Sequence, residues 1–135
     1  MGAVRIQVKL TNAVDEELVN RGLLNPNFLR VYETQALVDT GATRTVLPMD
    51  IVQHLGLRIR SQQVAKYADG KETIGFTEPV IIVLEGRETI EAAMVPGNQV
   101  LIGQTVLETL NLRVDCKNQR LVPNPAHPDY PVLRV

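Results

Sequence analysis

One carboxylate stands out among the residues whose type and spacing could do chemistry. Asp39 follows the apolar run Ala36-Leu37-Val38 and precedes Thr40-Gly41-Ala42. A short buried strand followed by a polar loop would place Asp39 on that loop. Hydrolysis of a peptide bond without a covalent intermediate needs one carboxylate that takes a proton from water and one carboxylic acid that protonates the scissile carbonyl group. One aspartate on such a loop would be half of a pair of this kind.

A second copy of the chain would supply the other carboxylate. The triplet Asp39-Thr40-Gly41 occurs once in the sequence, and a two-fold dimer places the same residue on both sides of its axis. Two carboxyl groups about 3 Å apart share one proton, because like charges repel. Gly41 permits the close approach of two such loops, which a side chain would prevent. We therefore expect a homodimer.

Apolar patterns predict that strands position this loop. Val4 to Leu10 alternates apolar and polar residues, as a strand with one buried face does. Residues 11–28 are predicted to be a connection, with at most a helical turn over Asn12 to Val19. From Leu29 to Val38 the pattern favours a strand again.

The middle of the chain has the pattern of hairpins. Val64 to Phe76 contains Asp69-Gly70, a dipeptide suited to a tight turn. Val80 to Leu84 is predicted to be a separate buried strand, and Thr89 to Val95 is its partner after the turn Glu85-Gly86-Arg87.

Two predicted helices belong to an internal repeat. Ile51 to Ile59 matches Val106 to Val114 at an offset of 55 residues, with every apolar position kept. Gly56 and Asn111 occupy the same place after each helix, where a left-handed residue commonly ends a helix.

The order and spacing of these features resemble the retropepsin family of aspartic proteases. The resemblance rests on Asp39-Thr40-Gly41-Ala42, the helix and hairpin that follow, and Leu101-Ile102-Gly103 before the last helix. It covers about Leu37 to Asp115. It implies an all-β fold with one or two short helices, the acid protease barrel of the family, and half an active site per chain. It also implies a homodimer that hydrolyses peptide or protein substrates.

The resemblance also gives roles to single residues. Asp39 is the catalytic residue, and Thr40, which matches a residue that bonds across the dimer interface, forms the active-site loop with Gly41 and Ala42. Eight further residues match positions that contact substrate in the family. They are Thr43 and Arg44 in the loop after the motif, Asp69, Gly70, Ile74 and Phe76 in the flap hairpin, and Gln99 and Leu101 in the loop before the last helix.

Length and composition predict one domain and exclude several function classes. The 135 residues divide into an N-terminal strand and connection (1–35), a motif-bearing core (36–115) and a proline-rich extension (116–135). A net charge of −1 without a basic cluster disfavours nucleic acid and anionic lipid. No apolar run approaches the ~20 residues of a membrane span.

The cysteine and histidine content predicts no cofactor. Cys116 is the only cysteine, so an intrachain disulfide and a cysteine metal cluster are both excluded. His54 and His127 are far apart in the sequence and show no metal-ligand spacing. We expect neither metal nor organic cofactor, and a reducing, cytoplasmic setting.

The proline-rich extension departs from the family pattern. Proline cannot donate to a strand ladder, so an interface strand is predicted at Val132 to Val135 or at Val4 to Leu10. Alternatively the extension lies across the cleft or reaches another protein. The alternative function is a catalytically silent retropepsin-like module that dimerises or binds peptides.

Ala42 predicts the pH at which the expected enzyme works best. A hydroxyl group at this position would donate a hydrogen bond to the catalytic carboxylate and stabilise its charged form, and alanine cannot. We expect an optimum at mildly acidic pH in a pH-rate profile. A profile that peaks below about pH 3 would contradict this reasoning.

Overall fold

Strands and short helices alternate along residues 3–132, the part of the chain that the computed structural model describes. In chain order they are β1 Arg5–Asn12, α1 Ala13–Asn20, a 3-10 turn Pro26–Phe28, β2 Val31–Val38, α2 Met49–His54, β3 Ile59–Tyr67, β4 Gly70–Leu84, β5 Arg87–Val95, β6 Leu101–Ile102, α3 Gln104–Leu110, β7 Leu112–Asp115 and β8 Arg120–Pro123. No helix in this range is both long and apolar enough to cross a membrane.

The first predicted strand forms the middle of the main sheet. β1 pairs antiparallel with β2 on one edge and, from Lys9 to Asn12, antiparallel with β4 on the other. The sheet order is β3-β4-β1-β2-β6, and β5 pairs with β4. The apolar residues of β1 are buried, as the alternation predicted. Because Lys9 and Leu10 are paired on both edges, the prediction of Val4 to Leu10 as an interface strand is wrong at these two residues.

The N-terminal connection contains a full helix where at most a turn was expected. α1 runs for eight residues, and Asn12 caps it by accepting a hydrogen bond from the Asp15 N–H group at 3.0 Å. The Asn12 side chain is buried and also donates through Nδ2 to the Leu55 carbonyl oxygen at 2.8 Å. Isolated short helices are marginal in water, so this tertiary contact accounts for the helix that local sequence did not predict.

An ion pair joins α1 to the start of β2. The buried Asp15 carboxylate accepts hydrogen bonds from Arg30 Nε at 2.8 Å, Arg30 Nη2 at 2.9 Å and the Arg30 N–H group at 3.1 Å. The bidentate geometry is the strongest form of such a pair. These hydrogen bonds hold the pKa of the Asp15 carboxyl group below its usual value.

The predicted hairpins are present, with two changes. Tyr67 pairs with Gly70, so the tip of the β3–β4 hairpin is Ala68-Asp69, and Gly70 is already the first residue of β4. The strand predicted at Val80 to Leu84 is the second half of β4, which continues through a bulge. The turn between β4 and β5 is confirmed at Glu85-Gly86, but Arg87 is already the first residue of β5 and pairs with Leu84.

The internal repeat is confirmed in the backbone. α2 and α3 bury the apolar residues that match in the alignment. Gly56 has a φ angle of 64° and Asn111 a φ angle of 57°, so both helices end on a left-handed residue at equivalent positions.

A buried arginine holds the C-terminal extension on the end of α3. Arg87 is 8% exposed, and its Nη1 donates to the Leu110 carbonyl oxygen at 2.6 Å. Its Nη2 donates to the carbonyl oxygens of His127 and Pro128 at 3.3 and 3.2 Å. The helix C-terminus is negative, which suits this cation. Asn111 Nδ2 also donates to the Val132 carbonyl oxygen at 2.9 Å, so the extension packs on its own chain as far as residue 132. Residues 133–135 of the predicted interface strand lie outside the described residues.

Replacing Asp15 by asparagine should lower the free energy of unfolding by about 1.5–3 kcal/mol, the usual contribution of hydrogen bonds to a charged group. Because the folded state lowers the pKa of Asp15, the carboxylate stabilises the fold fully above the unfolded-state pKa. This contribution is lost as the pH falls through the folded-state pKa.

Urea unfolding at pH 7 and in acid measures this effect. The difference between wild type and Asp15→Asn should be largest at neutral pH and shrink in acid. Asp129→Asn, at an exposed carboxylate, is the matched control. A difference that does not depend on pH would contradict the assignment.

Candidate active site

The loop that carries Asp39 begins where β2 meets β6. These strands pair in parallel, with Leu37 opposite Leu101 and Val38 opposite Ile102. The Asp39 N–H group then donates to the Ile102 carbonyl oxygen at 2.9 Å. β6 thus fixes the backbone from which the carboxylate projects.

The loop turns tightly around the Asp39 carboxylate. The Gly41 N–H group donates to Asp39 Oδ1 at 2.9 Å, and the Ala42 N–H group donates to the Asp39 carbonyl oxygen at 3.1 Å. A Cβ atom on Gly41 would lie 3.2 Å from Oδ1, which is a tight contact. Asp39 is half-buried, whereas Thr40 and Gly41 are exposed at the apex.

Gly103, between β6 and α3, packs directly against the backbone of the Asp39 loop. A Cβ atom on this residue would lie 2.7 Å from the carbonyl oxygens of both Ala42 and Arg44. Contacts of this length between Cβ and backbone are essentially never seen. The Gln104 N–H group donates to the Ala42 carbonyl oxygen at 2.9 Å. Glycine therefore allows the approach that this hydrogen bond requires.

Glu91 holds the far end of the loop, a role that the sequence did not predict. Its Oε2 accepts from the Thr45 N–H group at 2.8 Å, and its Oε1 accepts from Thr105 Oγ1 at 2.7 Å. One side chain of β5 thus joins the loop to the first turn of α3. Glu91 lies 46 residues from Thr45, and no local pattern indicates so distant a contact.

Three predicted substrate contacts lie together. Thr43, Arg44 and Phe76 line a cavity of about 530 Å³ between the loop and the β3–β4 hairpin. The guanidinium carbon of Arg44 lies 5.5 Å from the centroid of the Phe76 ring, a cation–π contact. We call this space the arginine cavity. Its other lining residues are Arg60, Ser61, Gln63, Thr77, Ala92 and Met94.

The other predicted substrate contacts do not line the arginine cavity. Asp69 lies at the tip of the hairpin, Gly70 is the first residue of β4, and Ile74 is half-buried in the same strand. Gln99 is exposed in the loop before β6, and Leu101 pairs with β2. Substrate contact by these residues stays a prediction.

Thr40 lies beside a second groove, of about 660 Å³, that α3 and β7 line together with Val132 from the extension. The exposed side of the Asp39 loop is therefore continuous with the outer face of the last helix. A hydrogen bond from Thr40 across an interface stays a prediction.

This fold and this loop define a retropepsin-like domain. A family model described as gag-polyprotein putative aspartyl protease matches residues 29–109. The chain belongs to this family of aspartic-protease-like proteins. The match includes the Asp39 loop, the hairpin and most of α3.

Solved structures confirm the predicted all-β, retropepsin-like fold. The retroviral protease-like domain of Ddi1 from Leishmania major has a TM-score of 0.58 and 15% identity, over 93% of this chain and 90% of that chain. The protease of simian foamy virus (mac) has a TM-score of 0.50 and 14% identity, over 76% of this chain and 90% of that chain. At these identities the likeness shows the fold alone. No curated protein matches the chain in sequence.

Replacing Glu91 by leucine should loosen the Asp39 loop, because the buried Thr45 N–H group loses its acceptor. We expect a loss of about 1–3 kcal/mol in the free energy of unfolding and faster hydrogen exchange of the Thr45 amide. Glu91→Gln keeps an acceptor oxygen and should lose less. Glu88→Leu, at an exposed position of the same strand, is the control. Unchanged exchange at Thr45 in Glu91→Leu would refute the role of Glu91.

Proposed function

We propose that the protein is an aspartic endopeptidase that is active as a homodimer. The observation that supports this proposal most is the setting of Asp39. Its loop is held from within the chain, yet Thr40 and Gly41 at the apex are exposed. A second copy related by a two-fold axis can therefore bring its own Asp39 close to the first.

The hydrogen bonds of Asp39 suit such a pair. Oδ1 is engaged by the Gly41 N–H group at 2.9 Å, and Oδ2 has no hydrogen-bond partner within residues 3–132. One oxygen therefore orients the carboxylate while the other is available to a water molecule or to the partner carboxyl group. A catalytic group that is already oriented lowers the entropic cost of reaching the transition state.

In the proposed reaction one Asp39 is ionised and its partner is protonated. The ionised carboxylate takes a proton from water, and the water oxygen bonds to the peptide carbonyl carbon. The protonated carboxyl group gives its proton to the carbonyl oxygen, which yields a tetrahedral diol. A diol hydroxyl group then returns a proton to one carboxylate, the other carboxyl group protonates the amide nitrogen, and the carbon–nitrogen bond breaks. The pair again holds one proton, so the cycle is complete.

Replacing Asp39 by asparagine should lower the rate of peptide cleavage more than about a thousandfold, because an amide cannot accept the proton from water. The rate is measured by mass spectrometry on a peptide library, and Asp129→Asn is the exposed control. Equal turnover by Asp39→Asn would refute the mechanism. No turnover by wild type that sedimentation shows to be dimeric would favour the catalytically silent module.

Mixed dimers test the shared site directly. Excess Asp39→Asn chains should suppress wild-type cleavage, because each mixed dimer contains one carboxylate where two are needed. Dilution should also lower the rate per wild-type chain as dimers dissociate. A rate per chain that stays constant in both experiments would mean that one chain is sufficient.

A further inference from the structure

The nine residues that line the arginine cavity carry a net positive charge. Arg44 and Arg60 contribute two positive charges, and no aspartate or glutamate is among the lining residues. Like charges in one cavity repel each other. An anion bound between them would relieve this repulsion.

Arg44 is held in a position suited to binding. Its guanidinium group stacks against Phe76, with the carbon 5.5 Å from the ring centroid. Within residues 3–132 its side chain makes neither an ion pair nor a hydrogen bond, so its N–H donors remain available. A planar guanidinium group matches a carboxylate with two parallel hydrogen bonds.

Arg60 adds a charge from the opposite wall. It lies in β3 at the irregularity between Ile59 and Ser61. Its neighbour Arg58 is neutralised by Glu78, with Nε and Oε2 3.3 Å apart. Arg60 has no such partner within residues 3–132. Glu78 of β4 thus neutralises the arginine before β3, whereas the arginine that lines the cavity is uncompensated.

The rest of the cavity suits a short acidic side chain. Ser61 and Gln63 carry polar groups that make no hydrogen bonds within residues 3–132, so they can serve as neutral donors. Ala92 and Met94 provide an apolar surface for methylene groups. Thr43, which lines the cavity, belongs to the same loop as Asp39.

We propose that the arginine cavity binds the carboxylate of an aspartate or glutamate in the substrate, so that the enzyme prefers peptides with an acidic residue near the scissile bond. This inference rests on the proposed function and specifies its substrate class. Hydrogen bonds to charged groups predict a preference for glutamate over glutamine of about tenfold or more in kcat/KM.

The first experiment compares matched peptides. Sequences cleaved from a peptide library are resynthesised with Glu, Gln or phosphoserine at each position near the cleaved bond. Wild type should prefer Glu over Gln at one position by about tenfold. The double variant Arg44→Gln, Arg60→Gln should lose that preference, and the control Arg21→Gln, at an exposed residue just after α1, should keep it. Equal kcat/KM for Glu and Gln, or a stronger preference for phosphoserine, would overturn the carboxylate assignment and leave the protease proposal intact.

Two further measurements separate the failure of this inference from other failures. Arg44→Glu should shift the preference toward Lys or Arg at the same position, a gain that an unfolded variant cannot show. If wild type cleaves nothing, the protease proposal fails, and binding then tests the cavity alone. Fluorescein-labelled hexapeptide pools with a central Glu should bind wild type about tenfold more tightly than pools with Gln. Equal binding, or none, would overturn the inference.

Discussion

The close packing of Gly103 against the Asp39 loop is the constraint on which the rest of this site depends. Carbonyl oxygens of Ala42 and Arg44 occupy the space where any other residue would place a Cβ atom. The loop can then bond to β6 at one end and to α3 in its middle. Glu91 completes the frame at the other end. The loop that carries the Asp39 carboxylate therefore has little conformational freedom.

Features with a local physical cause could be predicted from the sequence. The burial of alternate residues in β1 follows from its period of two, and the left-handed ends of α2 and α3 follow from Gly56 and Asn111. The Asp39 loop could be predicted because the apolar strand that ends at Val38 is followed directly by Asp39-Thr40-Gly41. The Gly103 element was recognised because the internal repeat places it before a matching helix.

Features that depend on distant partners could not be predicted. α1 owes its length to the contacts of Asn12 with Leu55 and of Asp15 with Arg30, and Glu91 acts through residues far away in the chain. The Asp69-Gly70 dipeptide predicts a hairpin tip one residue too late. The register is set by the pairing of Tyr67 with Gly70, and the tip is therefore Ala68-Asp69. In each case a tertiary contact outweighs a local preference.

The two walls of the arginine cavity differ in how freely they can change during evolution. β3 pairs only with β4 among the described strands, and nearly all of its residues are exposed. Exposed positions away from structural contacts tolerate most substitutions with little loss of stability. The opposite wall belongs to the loop that Gly103 and Glu91 hold in place. Substitutions can therefore accumulate on β3 and change the shape and charge of the cavity, while the sequence of the Asp39 loop stays the same.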